Sequence, residues 1–124
     1  MKKILICSNS AWNLVNFRKG IILELVSNNF EVIVASPKDE CVSRFVDFGC
    51  QYVSIAIDNK GINPISDLYL IFQYLKIFNQ IKPDIILTYT IKPNIYGSIV
   101  ANFLSIPVVN NISGLGTAFI AGGM

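Results

Sequence analysis

Three polar strings interrupt an otherwise apolar chain, and they carry the side chains with chemistry to offer a ligand. The first is Ser8-Asn9-Ser10-Ala11-Trp12-Asn13, with Arg18 about one turn further on. The second is Thr88-Tyr89-Thr90-Ile91-Lys92-Pro93-Asn94, and the third is Asn111-Ile112-Ser113-Gly114-Leu115-Gly116. Asn9, Ser10, Asn13, Tyr89 and Asn94 supply neutral groups that pair with hydroxyls, and Thr88 and Ser113 stand beside them. Each of these types also serves as a helix cap or turn former. Gly114 and Gly116 expose backbone N–H groups of the kind that cradle a ligand. Lys92 and Arg18 are cations at expected helix starts, where the macrodipole disfavours positive charge. Such positions call for an anion nearby, and two of them at one crevice point to an anionic or phosphorylated ligand.

Several chemistries are excluded or disfavoured. Residues 8–13 contain no glycine, so the close backbone approach that a dinucleotide pyrophosphate needs after a first strand is missing. There is no Walker-type lysine loop, and Ser8 and Asn9 stand where a phosphoacceptor receiver domain would want acids. The chain has no histidine and a net charge of +2 with scattered lysines and arginines, so no phosphate-tracking patch for nucleic acid is evident. Cys7, Cys41 and Cys50 share no metal-type spacing and read as free thiols in a reducing compartment. Neither a metal nor a resident cofactor is expected. The apolar stretch from Leu68 to Ile81 is interrupted by Gln73, Lys76 and Asn79 and falls short of the ~20 residues a membrane span needs.

The elements that position these strings alternate strand and helix. Lys3 to Ser8, Glu31 to Ala35, Gln51 to Ile55, a run beginning at Pro83-Asp84, and Ile106 to Asn110 read as strands. The fourth is a near-continuous apolar run, as a buried parallel strand should be. Asn13 or Asn16 is expected to cap a first helix to about Ser27, with Phe17, Ile21, Ile22, Leu25 and Val26 inward. Ser36-Pro37-Lys38-Asp39 resembles a capping box opening a helix that buries Val42, Phe45 and Val46 and stops at Gly49. Residues 56–64 read as a loop. From Ile65 a long helix shows two apolar stripes. Ile65, Leu68, Phe72 and Leu75 are expected to pack on the sheet, leaving Leu70, Tyr74, Ile77 and Ile81 for a further neighbour. Pro93 starts a helix from Asn94 to Leu104, in which Gly97, Ser98 and Ala101 allow close approach to the sheet. Gly20 inside the first helix costs ~1 kcal/mol against alanine.

Five strands with intervening helices predict an α/β fold: a Rossmann-like, doubly wound parallel sheet of five or more strands, order 3-2-1-4-5, helices on both faces. In that order the reversal lies between strands one and four, and ligands bind at such a switch point. The exits of those two strands are the first two polar strings. One crevice is therefore expected to take them both, with the glycine pair beside it.

With these residues in view, the chain resembles the N-terminal half of bacterial GT-B glycosyltransferases of the retaining group that builds capsule, O-antigen and other glycans. The likeness rests on Lys3-Ile4-Leu5-Ile6, Asn16-Phe17-Arg18, Lys82 to Gly97, and Ile106 to Gly116. Its most specific part is Thr90-Ile91-Lys92-Pro93-Asn94-Ile95-Tyr96-Gly97 followed by Gly114-Leu115-Gly116. The resemblance implies a cytoplasmic enzyme, peripheral at the inner face of the cell membrane, that moves a sugar from a nucleotide sugar to a lipid-linked saccharide acceptor. It also implies that residues 1–124 are one acceptor-side domain and that a C-terminal donor-binding domain is absent, so the chain alone is expected to be inactive. Relatives often carry a histidine near the end of strand four; Thr88-Tyr89-Thr90 stand there instead, and no residue is assigned the chemical step. The alternative is a non-catalytic α/β module, a truncated product, or a subunit completed by a separate chain. Bare surfaces around Leu70-Tyr74-Ile77-Ile81 and Phe119-Ile120 predict self-association.

Overall fold

The computed structural model describes residues 2–58 and 63–111, so Ser113, Gly114, Gly116, Phe119 and Ile120 lie outside the described residues. Five parallel strands form one sheet in the order β3-β2-β1-β4-β5: β1 Lys3–Cys7, β2 Glu31–Ser36, β3 Gln51–Ser54, β4 Ile85–Tyr89 and β5 Val108–Asn111. This is the expected Rossmann-like order. The register places Cys7 beside Ala35 on one side and Thr88 on the other, so β1 and β4 end level with each other.

Side chains alternate along each strand, and the sheet divides the core into two. On one face Ile4, Ile6, Val32 and Val34 pack with α1 (Ala11–Phe17), α2 (Lys19–Ser27) and α3 (Ser43–Phe48), through Leu14, Ile22, Phe45 and Phe48. On the other, Leu5, Cys7, Ile33, Ala35 and Ile86 meet α4 (Pro64–Ile81) and α5 (Ser98–Phe103) through Leu70, Tyr74, Phe78, Val100 and Ala101. Cys7 and Cys50 are buried, Cys41 is half-buried, and all three thiols are free.

Three local expectations are corrected. The first helix starts earlier, with Ser10 rather than Asn13 or Asn16 as its cap: Ser10 Oγ accepts the Asn13 N–H at 3.1 Å. It then breaks at Arg18 (φ −124°) into α1 and α2, which leaves Phe17 and Ile21 exposed and buries Leu14 and Val15 instead, while Ile22 is buried as expected. Ser36 caps nothing, because it is the last residue of β2, with its hydroxyl turned to the Pro37 carbonyl. Asp39 organises that loop by accepting the Cys41 N–H, and α3 starts only at Ser43, with Phe48 buried and Val46 70% exposed. Gly49 (φ 91°) does end the helix, in the left-handed conformation that glycine adopts without cost.

The third correction concerns α4, whose two stripes are exchanged. Leu70, Tyr74, Ile77 and Phe78 face the sheet, while Ile65 is 82% and Phe72 58% exposed. Two contacts set this rotation. Asp67, on the inner stripe, pairs with Lys92, and the Gln73 side chain grips the backbone of Ala56 just beyond β3. In that grip Oε1 accepts the Ala56 N–H at 2.8 Å and Nε2 donates to its carbonyl at 2.9 Å. Asn63 caps the helix by accepting the Ile65 and Ser66 N–H groups, and Pro64 opens it.

Candidate functional site

The exits of β1 and β4 touch. The Asn9 N–H donates to Thr90 Oγ1 at 3.2 Å, joining the two loops at the point where the strand order reverses. Ahead of it, Ser8 and Ser10 fold the first exit into a tight turn: Ser8 Oγ accepts the Ser10 N–H and donates to the Ser10 carbonyl, both at 3.2 Å. Thr90 holds φ 74°, a left-handed backbone that β-branched residues rarely adopt. Strain of this kind costs about 1–3 kcal/mol and persists where the surroundings over-determine the conformation. Here the hydroxyl is engaged with the Tyr89 carbonyl as well as with Asn9.

Below that lip, β4, the start of α5 and β5 are knit by neutral polar groups. The buried Thr88 hydroxyl lies 2.7 Å from Asn94 Oδ1 and 2.6 Å from the Asn110 side-chain amide. A hydroxyl has one proton, so the two amides cannot both accept from it. Asn94 Nδ2 donates to the Asn111 carbonyl at 2.9 Å, which fixes Asn94 Oδ1 as the acceptor from Thr88. Asn110 therefore turns its NH2 inward, donating to Thr88 and to Ser98 Oγ, 2.7 Å away, while the Ser98 hydroxyl donates to the Asn94 carbonyl. A π-helical turn, Pro93–Gly97, leads into α5 over this network. Gly97 lets this turn pack closely, because a Cβ would meet Thr88 Cγ2 at 3.0 Å and Thr88 would have to give by a few tenths of an ångström.

The two cations behave differently. Arg18 Cζ stands 5.1 Å from the centre of the Tyr89 ring, a cation–π pair that links α1 to the β4 exit. Burial raises the Tyr89 phenol, with Arg18 pulling the other way. Lys92 points to the opposite face: Nζ donates to Asp67 Oδ1 at 2.8 Å and to the Asp58 carbonyl, and the Tyr96 hydroxyl donates to Asp67 Oδ2 at 2.9 Å. The anion its position called for is thus Asp67. Bonded by Lys92 first and Tyr96 next, the Asp67 carboxyl is held below its ordinary range, and the same bond raises the Tyr96 phenol.

Asn9, Ser10, Asn13 and the Arg18–Tyr89 pair therefore gather around the β1 exit, with Thr88 and Asn94 in the adjoining layer. Sequence reasoning passed over Asp67, Ser98, Asn110 and the part Thr90 plays in joining the exits. An acid on an apolar stripe was a readable signal for Asp67; the twist at Thr90 has none. Among the described residues no group of His, Cys, Asp and Glu is arranged to hold a metal, and no helix is long and apolar enough to cross a membrane. The groups assembled here are hydroxyls and amides bonded to one another, with the Arg18 guanidinium over the Tyr89 ring beside them.

The fold is a doubly wound α/β domain in which the β1 and β4 exits meet where the strand order reverses. Residues 3–123 match the Glycosyl transferase 4-like family, and the chain belongs to it. A Campylobacter jejuni N,N'-diacetylbacillosaminyl-diphospho-undecaprenol alpha-1,3-N-acetylgalactosaminyltransferase is 27% identical over 114 residues. That match takes in 91% of this chain and 30% of the relative, so the chain spans less than a third of that protein's length. Among solved structures, Acinetobacter baumannii MurG superposes with a TM-score of 0.73 at 16% identity, covering 98% of this chain and 39% of MurG. The UDP-GlcNAc 2-epimerase of Neisseria meningitidis does so at 0.68 and 20%, covering 98% and 35%. Transferase and epimerase share this fold, so the fold alone does not name the reaction.

Proposed function

We propose that the chain is the N-terminal, acceptor-side domain of a GT-B glycosyltransferase that moves a sugar from a nucleotide-sugar donor to a lipid-linked saccharide. The observation that carries the reading is the family match over nearly the whole chain, with the β1 and β4 exits joined at one lip. The Campylobacter relative is named for a polyprenyl-diphosphate-linked sugar acceptor, which supports the acceptor class. The lip is rich in amides and hydroxyls, with one cation, Arg18, held over Tyr89, and that mixture suits a saccharide. We place the enzyme in the cytoplasm, working at the inner face of the membrane in surface-glycan assembly.

The donor half lies outside these residues in this reading. Transfer takes place in a closed cleft that excludes water and aligns donor with acceptor, and one wall does not make a cleft. Residues 1–124 alone are expected to release no nucleoside diphosphate from UDP- or GDP-sugars, with or without acceptor. Acceptor-dependent release above a no-protein control refutes the inactive-alone part. The share of the relative that is covered also fits a subunit completed by a second chain; co-expression that restores turnover distinguishes that arrangement. Self-association is proposed through the outer stripe of α4, Ile65, Leu68, Tyr69 and Phe72, which the exchange of stripes leaves bare.

A further inference from the structure

Trp12 is the one tryptophan of the chain, and it is 50% exposed on the first turn of α1. It is also held firmly. Its backbone N–H donates to Asp39 Oδ2 at 3.2 Å, and the other oxygen of Asp39 accepts the Cys41 N–H at 2.7 Å, which ties α1 to the loop after β2. Its carbonyl accepts from Asn16 Nδ2 at 2.8 Å. Its indole meets the exposed Phe17 ring edge-to-face, with centroids 5.6 Å apart and planes at 78°. At 3.6 residues per turn, Trp12, Asn16, Asn13 and Phe17 occupy one arc of about 140°, while Ala11, Leu14 and Val15 are buried on the other side. The arc starts two residues after Ser10, at the lip where the β1 and β4 exits join.

The composition of this arc selects its ligand. An aromatic plate carries a negative face and is flanked here by two neutral amides, with no charged side chain among the four. A sugar ring matches it: its C–H face lies on the plate, and its hydroxyls reach the amides. A lipid surface matches poorly, because an interfacial helix wants a broad apolar face rich in basic flanks, and Asn13 and Asn16 cut this one. We propose that Trp12, backed by Phe17 and flanked by Asn13 and Asn16, is a stacking subsite for an uncharged sugar ring of the acceptor. The assignment rests on the saccharide-acceptor reading above and adds a specificity-determining residue to it.

Because Trp12 is alone, its fluorescence reports on this subsite in the unmodified chain. Titration with N,N'-diacetylchitobiose is expected to give a saturating emission change with a Kd of about 1–10 mM. Replacing Phe17 or Asn16 by Ala is expected to weaken binding at least threefold while the circular dichroism and melting temperature stay as in the parent. A flat titration by a folded chain overturns the proposal. So does an emission shift produced by 3:1 phosphatidylcholine:phosphatidylglycerol vesicles and not by the disaccharide, or an F17A/N16A double variant that binds as well as the parent. The readout needs neither donor nor turnover. A working transferase can fail it, and a chain that transfers nothing can pass, so the two readings fall separately.

Discussion

Tyr74 lies on the inner stripe of α4 with 0% of its surface exposed, stacked on Phe78 at 5.4 Å and 23°. Its hydroxyl finds no hydrogen-bond partner among the described residues, and burial pushes the phenol well above its ordinary range. A buried hydroxyl left unpaired costs about 1–3 kcal/mol relative to one kept in water. Tyr74→Phe removes that group and keeps the ring, its stacking and its apolar area. What it forfeits is the volume of one oxygen, on the order of 0.3 kcal/mol at the measured cost of a small cavity. The net expectation is a gain of about 1 kcal/mol, or roughly 3–6 °C in melting temperature for a domain of this size. Thermal and urea unfolding followed by circular dichroism test it, with the urea midpoint rising and the slope unchanged. A midpoint that stays put or falls would show that the hydroxyl is satisfied.

The other expectations concern α4 and its tie to α5. Lys82 closes α4 in the left-handed conformation (φ 53°), so Lys82→Gly is expected to raise stability by about 0.5–1 kcal/mol; a lower urea midpoint counts against it. The Asp67 carboxyl is held below its ordinary 3.8 by its bond to Lys92. Its contribution is therefore fully present above the unfolded value of 3.8 and is lost as pH falls through the lower folded value. Asp67→Asn is expected to be less stable than the parent at pH 7, with the gap narrowing below about pH 3.8. A gap of constant width from pH 7 to pH 3 would place the stabilisation elsewhere.

Strand order and the meeting of two polar exits were readable because both follow from chain-local signals. Apolar runs bounded by turn residues mark the strands, and right-handed crossovers leave few ways to order them. The rotation of α4 was not readable from hydrophobicity, because both stripes are apolar. What decides between them is Asp67, which the inner stripe can carry because Lys92 and Tyr96, 25 and 29 positions away, bond its carboxylate. The same partnership explains why Lys92, read as a ligand-seeking cation, turns from the lip. The break at Arg18 follows from no proline or helix-ending glycine; it brings the guanidinium over Tyr89, a contact only the assembled sheet provides.

The hold of Gln73 on Ala56 also bears on how copies of the chain can meet. A carboxamide offers one donor and one acceptor at nearly the spacing of a peptide group, so this side chain acts as a single rung of a missing strand. The sheet is thereby plugged just where its outermost member ends, and growth by edge-to-edge pairing meets an occupied position there. The outer stripe of α4, with Ile65 82% and Phe72 58% exposed, offers a second copy only side chains, so substitution there tests the proposed self-association without touching the backbone ladder.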